Sequence, residues 1–388
     1  MEQKKTGPLA GVKVADFTQL AQGPWATQML GDLGADIIKI EPPKGDWMRH
    51  YAYGNHYPGG QSISFLSFNR NKRSICLDLK TDEGIRTAKD LIADSTILIE
   101  NFRPGVMDRL GIGYEAMKLI NPGLIYCSSS GYGGDGPYKD RPGQDLLAQA
   151  ISGTPFLNGR DGDLPVVTAV GQADLLTALF IVQAVLAALH HRSTTGQGQY
   201  IQACLLNSVI SFHTQEITSF LSMGTLPKRS QAGIPNPWLG APYGIYNTKD
   251  SYLAIGMNSV RKLGQLMNIP ELDTETYTTN NKIEYRDEVF NLLQQTLLDK
   301  TTQEWLDILL PADIWCSHVN QLDGMVNDPQ IVHNQMIIDF EHPEAGTVQT
   351  TGFPVRFSET PCKFYSAPPL LGQHTDEILR EIKLKKSV

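Results

Sequence analysis

The sequence predicts an α/β protein, with a Rossmann-like large domain built on a mainly parallel sheet and a smaller inserted α/β domain. In the first third, short apolar runs alternate with helical patterns, an order that right-handed crossovers turn into a parallel sheet covered by helices on both faces. The length of 388 residues exceeds what one core usually organises, so two domains are expected. The stretch from Ala232 to Tyr243 holds Gly233, Pro235, Pro237, Gly240 and Pro242, a concentration of breakers that reads as a domain boundary.

Val12 to Phe17 is the first strand, and Gly23-Pro24 opens a helix that runs through Leu33 and stops at Gly34, as a proline at the start and a glycine at the end require. Asp36 to Ile40, Ser74 to Leu77, Thr96 to Ile99 and Leu124 to Cys127 are further strands, with a helix from Glu83 to Ala93. Helices follow over Asp174 to Arg192 and Ile201 to Met223. Beyond the breaker stretch, Tyr252 to Ile255 is a strand. Val260 to Met267, Glu284 to Leu298 and Thr302 to Leu310 are helical, Val348 to Phe357 is extended, and Ser366 to Leu379 leads into a last helix. That final stretch is expected to return to the first domain.

Composition narrows the function. The formal net charge of -8 argues against a nucleic-acid-binding surface. The start Met1 to Pro8 has no apolar signal region, and Gln183 and His190 interrupt the longest apolar run, so the expectation is a cytosolic chain with no membrane role. Five scattered cysteines without a C-x-x-C pair fit reduced thiols. Nine histidines without H-E-x-x-H spacing give no support for a metal site. Neither G-x-G-x-x-G after the first strand nor a G-x-x-x-x-G-K-[ST] loop is present, so dinucleotide and nucleotide-triphosphate chemistry lose support.

Asp174 is the lone charge between Val166 and Val182. An unpaired ion in such surroundings costs several kcal/mol, so the carboxylate must be paired, protonated or held ready for chemistry. Two readings stand open on the residue alone: a helix N-cap, or a nucleophile kept ionised by the helix N-terminus.

A colinear series of motifs bears on the choice. Gly7 to Val12 with Gly23-Pro24, Gly34 to Pro43, Asn71 to Ser74 with Leu77 to Lys80, and Glu100 to Gly105 with Arg109 come first. Gly131 to Gly133 with Gly136-Pro137, Ala187 to Leu189 with Thr195 to Gln199, and Pro369 to Thr375 complete it. In these the chain resembles the class III CoA-transferases, the family of formyl-CoA:oxalate and crotonobetainyl-CoA:carnitine CoA-transferases. The resemblance implies a large domain from both chain ends (1-225 and 330-388), a small domain with connectors (226-329), and an interlocked homodimer.

It further implies that Asp174 is the nucleophile, passing CoA from an acyl-CoA donor to a carboxylic acid acceptor through aspartyl mixed anhydrides and an enzyme-CoA thioester. By family position Ala21, Gln22, Leu77, Asp78, Leu79, Lys80, Asn101, Phe102, Arg103, Arg109, Pro142, Gly143, Gln144 and Asp145 line the CoA site, with Lys80, Arg103 and Arg109 as phosphate partners. The CoA thioester is then substrate, with no permanently bound cofactor, and small acids are the preferred acceptors. Lys72 and Arg73 are as readily structural. Pro42 stands where some relatives have a basic residue, leaving Lys44 or Arg49 as substitutes. The alternatives are an acyl-CoA racemase of the same superfamily, which needs a proton acceptor where Gln144 stands, and a non-catalytic CoA-binding protein.

Overall fold

The computed structural model describes residues 5–277 and 283–386; Met1 to Lys4, part of the start read above as lacking a signal, lie outside them. Contacts divide the chain into two units. The first takes the chain through Gln149, then Val170–Phe212, then everything from Pro329 on; the second is Ala150–Ala169 with His213–Asp328. The division therefore falls at Phe212, between two helices, rather than in the breaker-rich 232–243 stretch, and the segment 150–169 belongs with the second unit.

The first unit is built on six strands: β1 (Lys13–Asp16), β2 (Asp36–Glu41), β3 (Lys72–Cys76), β4 (Ile97–Glu100), β5 (Ile125–Ser130) and β6 (Gln199–Cys204). All pairings are parallel, in the order β3-β2-β1-β4-β5-β6. That is the doubly wound order of dinucleotide-binding folds. Residues alternate between two cores, as strand geometry demands: Val14, Ile37, Ile97 and Ile99 join one cluster, whereas Ala15, Ile38 and Leu98 join the other.

Eight helices of this part follow in chain order: α1 (Gln22–Asp32), α2 (Ile63–Phe68), α3 (Asp82–Ala93), α4 (Val106–Arg109), α5 (Tyr114–Ile120), α6 (Asp145–Ser152), α7 (Gln172–Thr195) and α8 (Leu205–Phe212). Ala26 and Leu30 of α1 and Ala178, Ile181, Val185 and Ala188 of α7 fill one core, while Ala88, Leu91 and Ile92 of α3 and Met117 of α5 fill the other. The 24-residue α7 is long and apolar enough to span a bilayer, but its inner face is part of this core.

The second unit contains α9 (Thr214–Met223), β7 (Gly244–Asn247), β8 (Tyr252–Ile255), α10 (Val260–Met267), α11 (Arg286–Leu297), α12 (Thr302–Leu309), β9 (Cys316–His318) and α13 (Leu322–Met325). Its three strands pair antiparallel around Trp305, Leu263 and Leu293, with Tyr246 stacked on Phe290 at 4.3 Å. The chain then returns to the first unit through α14 (Pro329–His333), the hairpin β10 (Ile337–His342) and β11 (Gly346–Thr351), and α15 (Thr375–Lys386).

The single helix expected over Ile201 to Met223 is instead β6, α8 and α9, broken at His213. Four of its residues, Ile201 to Cys204, pair with Cys127 to Ser130 of β5. A short apolar run does not distinguish a buried strand from a helix by period, and here the sheet edge decided.

Candidate active site

In a doubly wound sheet the connections on the two sides of the order reversal leave a crevice at the carboxyl ends of the strands. Here the reversal lies between β1 and β4. The loops leaving those strands, with the segments after β5 and the first turn of α7, enclose a cleft of about 180 Å³. It is lined by Leu20, Ala21, Gln22, Asn101, Phe102, Arg103, Pro104, Ser130, Gly131, Tyr132, Lys139, Arg141, Pro142, Gly143, Gln144, Asp174 and Leu205. Gly131 and Gly143 let two of these segments meet backbone to backbone: a Cβ on Gly131 would lie 2.5 Å from the Cα of Gly143, closer than any side chain allows.

Asp174 is half-buried, and it is the one carboxylate among the described residues lining the cleft. It is not the N-cap. Gly171 holds that position without a side-chain bond, and Asp174 sits in the first turn of α7. The exposed amides go instead to Asp145, whose Oδ1 accepts from Ala173 N at 2.6 Å and from Asp174 N at 3.1 Å, while its Oδ2 accepts from Gln149 Nε2 at 2.6 Å. Capping from another helix satisfies two of the orphan donors of α7. It also sets a second carboxylate beside Asp174. Burial first, and then the negative charge of Asp145, push the Asp174 carboxyl up to about 7. The helix terminus therefore does not hold Asp174 ionised across the whole neutral range, as the nucleophile reading supposed.

Of the other sequence-predicted residues, Ala21, Gln22, Phe102, Arg103, Pro142, Gly143 and Gln144 line the cleft. Asn101 does too, but its amide is engaged: Oδ1 accepts from Gln19 N and Nδ2 donates to Gln19 O, both at 2.8 Å. Leu77, Asp78, Leu79, Lys80, Arg109 and Asp145 stand outside it, Asp145 as the cap of α7. Leu77 is buried in the core with Leu79 packed against it; Asp78 accepts from Lys80 N at 3.0 Å in the turn before α3. Lys80 and Arg109 are exposed. Sequence reasoning missed Leu20, Pro104, Ser130, Gly131, Tyr132, Lys139, Arg141 and Leu205. The signal for two of them was the run Lys139-Asp140-Arg141 just before Pro142. Arg141 lies over the Tyr138 ring at 3.7 Å, which orders it at the rim.

Three residues weighed as possible ligands are structural. The Lys72 ammonium is buried against Asp16, Pro24 O and Asn69. Arg73 pairs with Asp36, Glu377 and Glu381. Arg49 forms a bidentate pair with Glu41 at 2.7 Å and lies 3.7 Å from the centre of the Phe65 ring. Beneath the 101–104 loop, burial pushes the Glu100 carboxyl up to about 7, although its Oε2 accepts from Phe102 N at 2.8 Å.

Comparison with known proteins identifies the family. Residues 9–375 match the family model described as CoA-transferase family III. The chain is 37% identical over 387 residues to the succinyl-CoA:glutarate CoA-transferase of Mus musculus, covering 97% of this chain and 86% of the relative. It is 33% identical to the succinyl-CoA–L-malate CoA-transferase beta subunit of Chloroflexus aurantiacus, covering 97% and 94%. The crystal structure of a CaiB/BaiF family protein from Brucella suis superposes with a TM-score of 0.87 at 33% identity, covering 97% of this chain and all of that one. With the match running through every strand of the large sheet and through the first turn of α7, the chain belongs to CoA-transferase family III.

Proposed function

We propose that this family III CoA-transferase moves CoA from a small dicarboxylyl-CoA, succinyl-CoA being the leading donor, to a second small carboxylic acid, with Asp174 as the covalent nucleophile. The observation that carries the reading is the placement of Asp174 as the one carboxylate among the described residues lining a cleft at the sheet's switch point. An Asp174 oxygen attacks the thioester carbonyl, the C–S bond breaks, and CoA thiolate leaves an acyl-aspartyl anhydride. The thiolate attacks the aspartyl carbonyl, the C–O bond breaks, and the donor acid departs from an aspartyl-CoA thioester. The acceptor carboxylate displaces the thiolate to form a second anhydride. Thiolate attack on the acceptor's acyl carbon then releases the new acyl-CoA and restores Asp174. Overall one thioester is exchanged for another, so no nucleotide is consumed.

A carboxyl titrating near 7 suits this role, because basicity and availability of the anion are balanced near neutral pH. Arg103, Lys139 and Arg141 are the cations at the rim and are assigned to the phosphates of CoA. Ala21, Gln22, Phe102, Pro142, Gly143 and Gln144 are assigned to the pantetheine end and the acyl group. Short acids are preferred to lipid-like ones as the acyl groups exchanged. The succinyl-CoA donors in the names of the two relatives support the same choice.

The deciding experiment is incubation with a panel of acyl-CoAs followed by intact mass measurement with and without hydroxylamine. The expected result is a mass increase with succinyl-CoA that hydroxylamine removes and that Asp174→Ala abolishes. Unchanged transferase activity in Asp174→Ala overturns the mechanism, and deuterium uptake at the α-carbon without transfer replaces it by epimerisation.

A homodimer is part of the same proposal. Leu146, Leu179, Leu186, Ile210 and Phe212, on α6, α7 and α8 of the first unit, are 38–56% exposed. Several large apolar side chains on neighbouring helices are what an obligate interface covers. Light scattering is expected to give twice the chain mass of 42.9 kDa; a monomer at micromolar concentration removes this part of the reading.

A further inference from the structure

We infer that Asn101 is a positioning residue, which acts as a substitute peptide group and holds the β1–α1 loop in the conformation that forms one wall of the cleft. The last main-chain rung between β1 and β4 beyond the strands is Phe17 N to Ile99 O, at 2.9 Å. Past it the two chains diverge, as they must at a switch point, and Gln19 makes no main-chain hydrogen bond among the described residues. The Asn101 side chain supplies both halves of the missing rung: its oxygen accepts from Gln19 N and its amide donates to Gln19 O, each at 2.8 Å.

The residues on either side are fixed in the same way, by side chains and not by backbone. Thr18 N donates to Asp16 Oδ1 at 2.9 Å, and Thr18 O accepts from the buried Lys39 ammonium at 2.8 Å. Leu20 N donates to Asp46 Oδ1 at 3.1 Å, while the other oxygen of Asp46 pairs with Lys39 at 2.8 Å. Every main-chain N–H from Thr18 to Leu20 is thus held by a side chain of β1, the 46–50 turn or the 101–105 loop, as a loop without a sheet neighbour requires. The restraint has work to oppose, because Leu20 has φ 67°, a left-handed conformation that is strained for a non-glycine residue. Leu20, Ala21 and Gln22 follow directly as the cleft wall.

A side-chain amide with its oxygen and one N–H committed to the protein has little left to offer a ligand. The assignment therefore parts from a direct CoA contact at Asn101. It rests on the cleft being the reaction site, but its test does not require activity. Deuterium exchange of the full-length protein is followed in peptides covering residues 17–22, in the parent, Asn101→Ala, Asn101→Leu and Gln19→Ala. Asn101→Leu keeps the branched shape and removes both bonds; Gln19→Ala keeps both bonds, since only its backbone is used.

The expected result is at least a tenfold faster exchange of the loop in both Asn101 variants, with core strands and Gln19→Ala unchanged. Calorimetry is expected to show free CoA binding within about threefold of the parent. With an acyl-CoA donor, kcat falls by on the order of 100-fold, the scale of a 1 Å misplacement, while KM changes little. Parent-like loop exchange in Asn101→Leu overturns the inference. So does loss of CoA binding with the loop still protected, which makes Asn101 a ligand contact. Absence of transferase activity in the parent sinks the proposed function and leaves the exchange comparison intact.

Discussion

Asp174 and Asp145 form a pair in which one carboxylate raises the other, and the consequence is a pH dependence with a definite sign. The Asp174 carboxyl is pushed up to about 7, by burial first and by Asp145 second, so the nucleophilic anion is lost as pH falls through that value. The rate of enzyme acylation by succinyl-CoA is expected to drop about tenfold per unit below it. Asp145→Asn keeps an oxygen for the two α7 amides and removes the charge. Its acid limb should move to lower pH without reaching that of a free carboxylate, because burial remains; a limb that stays in place makes Asp145 electrostatically irrelevant. Stability runs the other way. A carboxyl raised on folding binds its proton more tightly in the native state, so its penalty is absent below the ordinary carboxylate pKa and fully developed above about 7. Asp174→Asn should therefore melt higher than the parent at pH 8, with the difference shrinking toward pH 4. The sequence showed this residue as an isolated charge and placed it near a helix start, but the capping partner lies 29 positions earlier on another helix. No local pattern carries that information.

At the scale of elements, the strands of the large sheet were legible where apolar runs were bounded by glycine, proline or charge, and β1 to β5 fall within a few residues of their expected spans, whereas the short β7, β9 and β10 were not expected. The strand β6 was misread because Ile201 to Cys204 continues without a breaker into the apolar α8, and only pairing with β5 separates them. Helix termini were legible in type but not in partner. The α12 start carries its whole signal locally, with Thr301 and Glu304 forming a capping box. By contrast α7 has glycine at its N-cap and takes Asp145 from elsewhere. That contrast is testable. Asp145→Ala should cost about 1 kcal/mol in urea unfolding, the usual worth of a cap, and Asp145→Asn much less. Equal losses in the two variants show that the charge, rather than the hydrogen bonds, carries the stability.

At the scale of the molecule, the run Asn71-Lys72-Arg73 explains how the chain's end is bound back to its beginning. The sequence leaves Lys72 and Arg73 open between ligand-binding and structural roles, and the fold turns each residue of the run inward. Asn71, with φ 64° and 1% exposure, donates from Nδ2 to Asp32 and Lys363 O, and its Oδ1 accepts from Tyr365 N and Ser366 N. Arg73 joins Asp36 on β2 to Glu377 and Glu381 on α15, and α15 delivers Ile378 into the core over the sheet. These contacts span some 300 positions in sequence, which is why periodicity cannot reveal them. Removing the Asn71 side chain leaves several buried groups unpaired, so Asn71→Ala should lose about 3–5 kcal/mol at roughly 1 kcal/mol or more per group. Arg73→Ala should lose about 2–3 kcal/mol, because Glu377 and Glu381 then lose their shared cation and Asp36 keeps only Lys5, at 3.7 Å. The Asp36 carboxyl is held below its usual range, with burial acting against the shift and the Arg73 bonds outweighing it. Its contribution is present above the ordinary carboxylate pKa and lost as pH falls through the lower native value. Arg73→Ala should thus flatten the acid side of the stability profile as well as lower its maximum. Limited proteolysis locates the effect: both variants should be cut first between residues 360 and 386 while the sheet stays protected. Cleavage that begins instead in the 101–105 loop would show that these residues support the cleft and not the return of the chain.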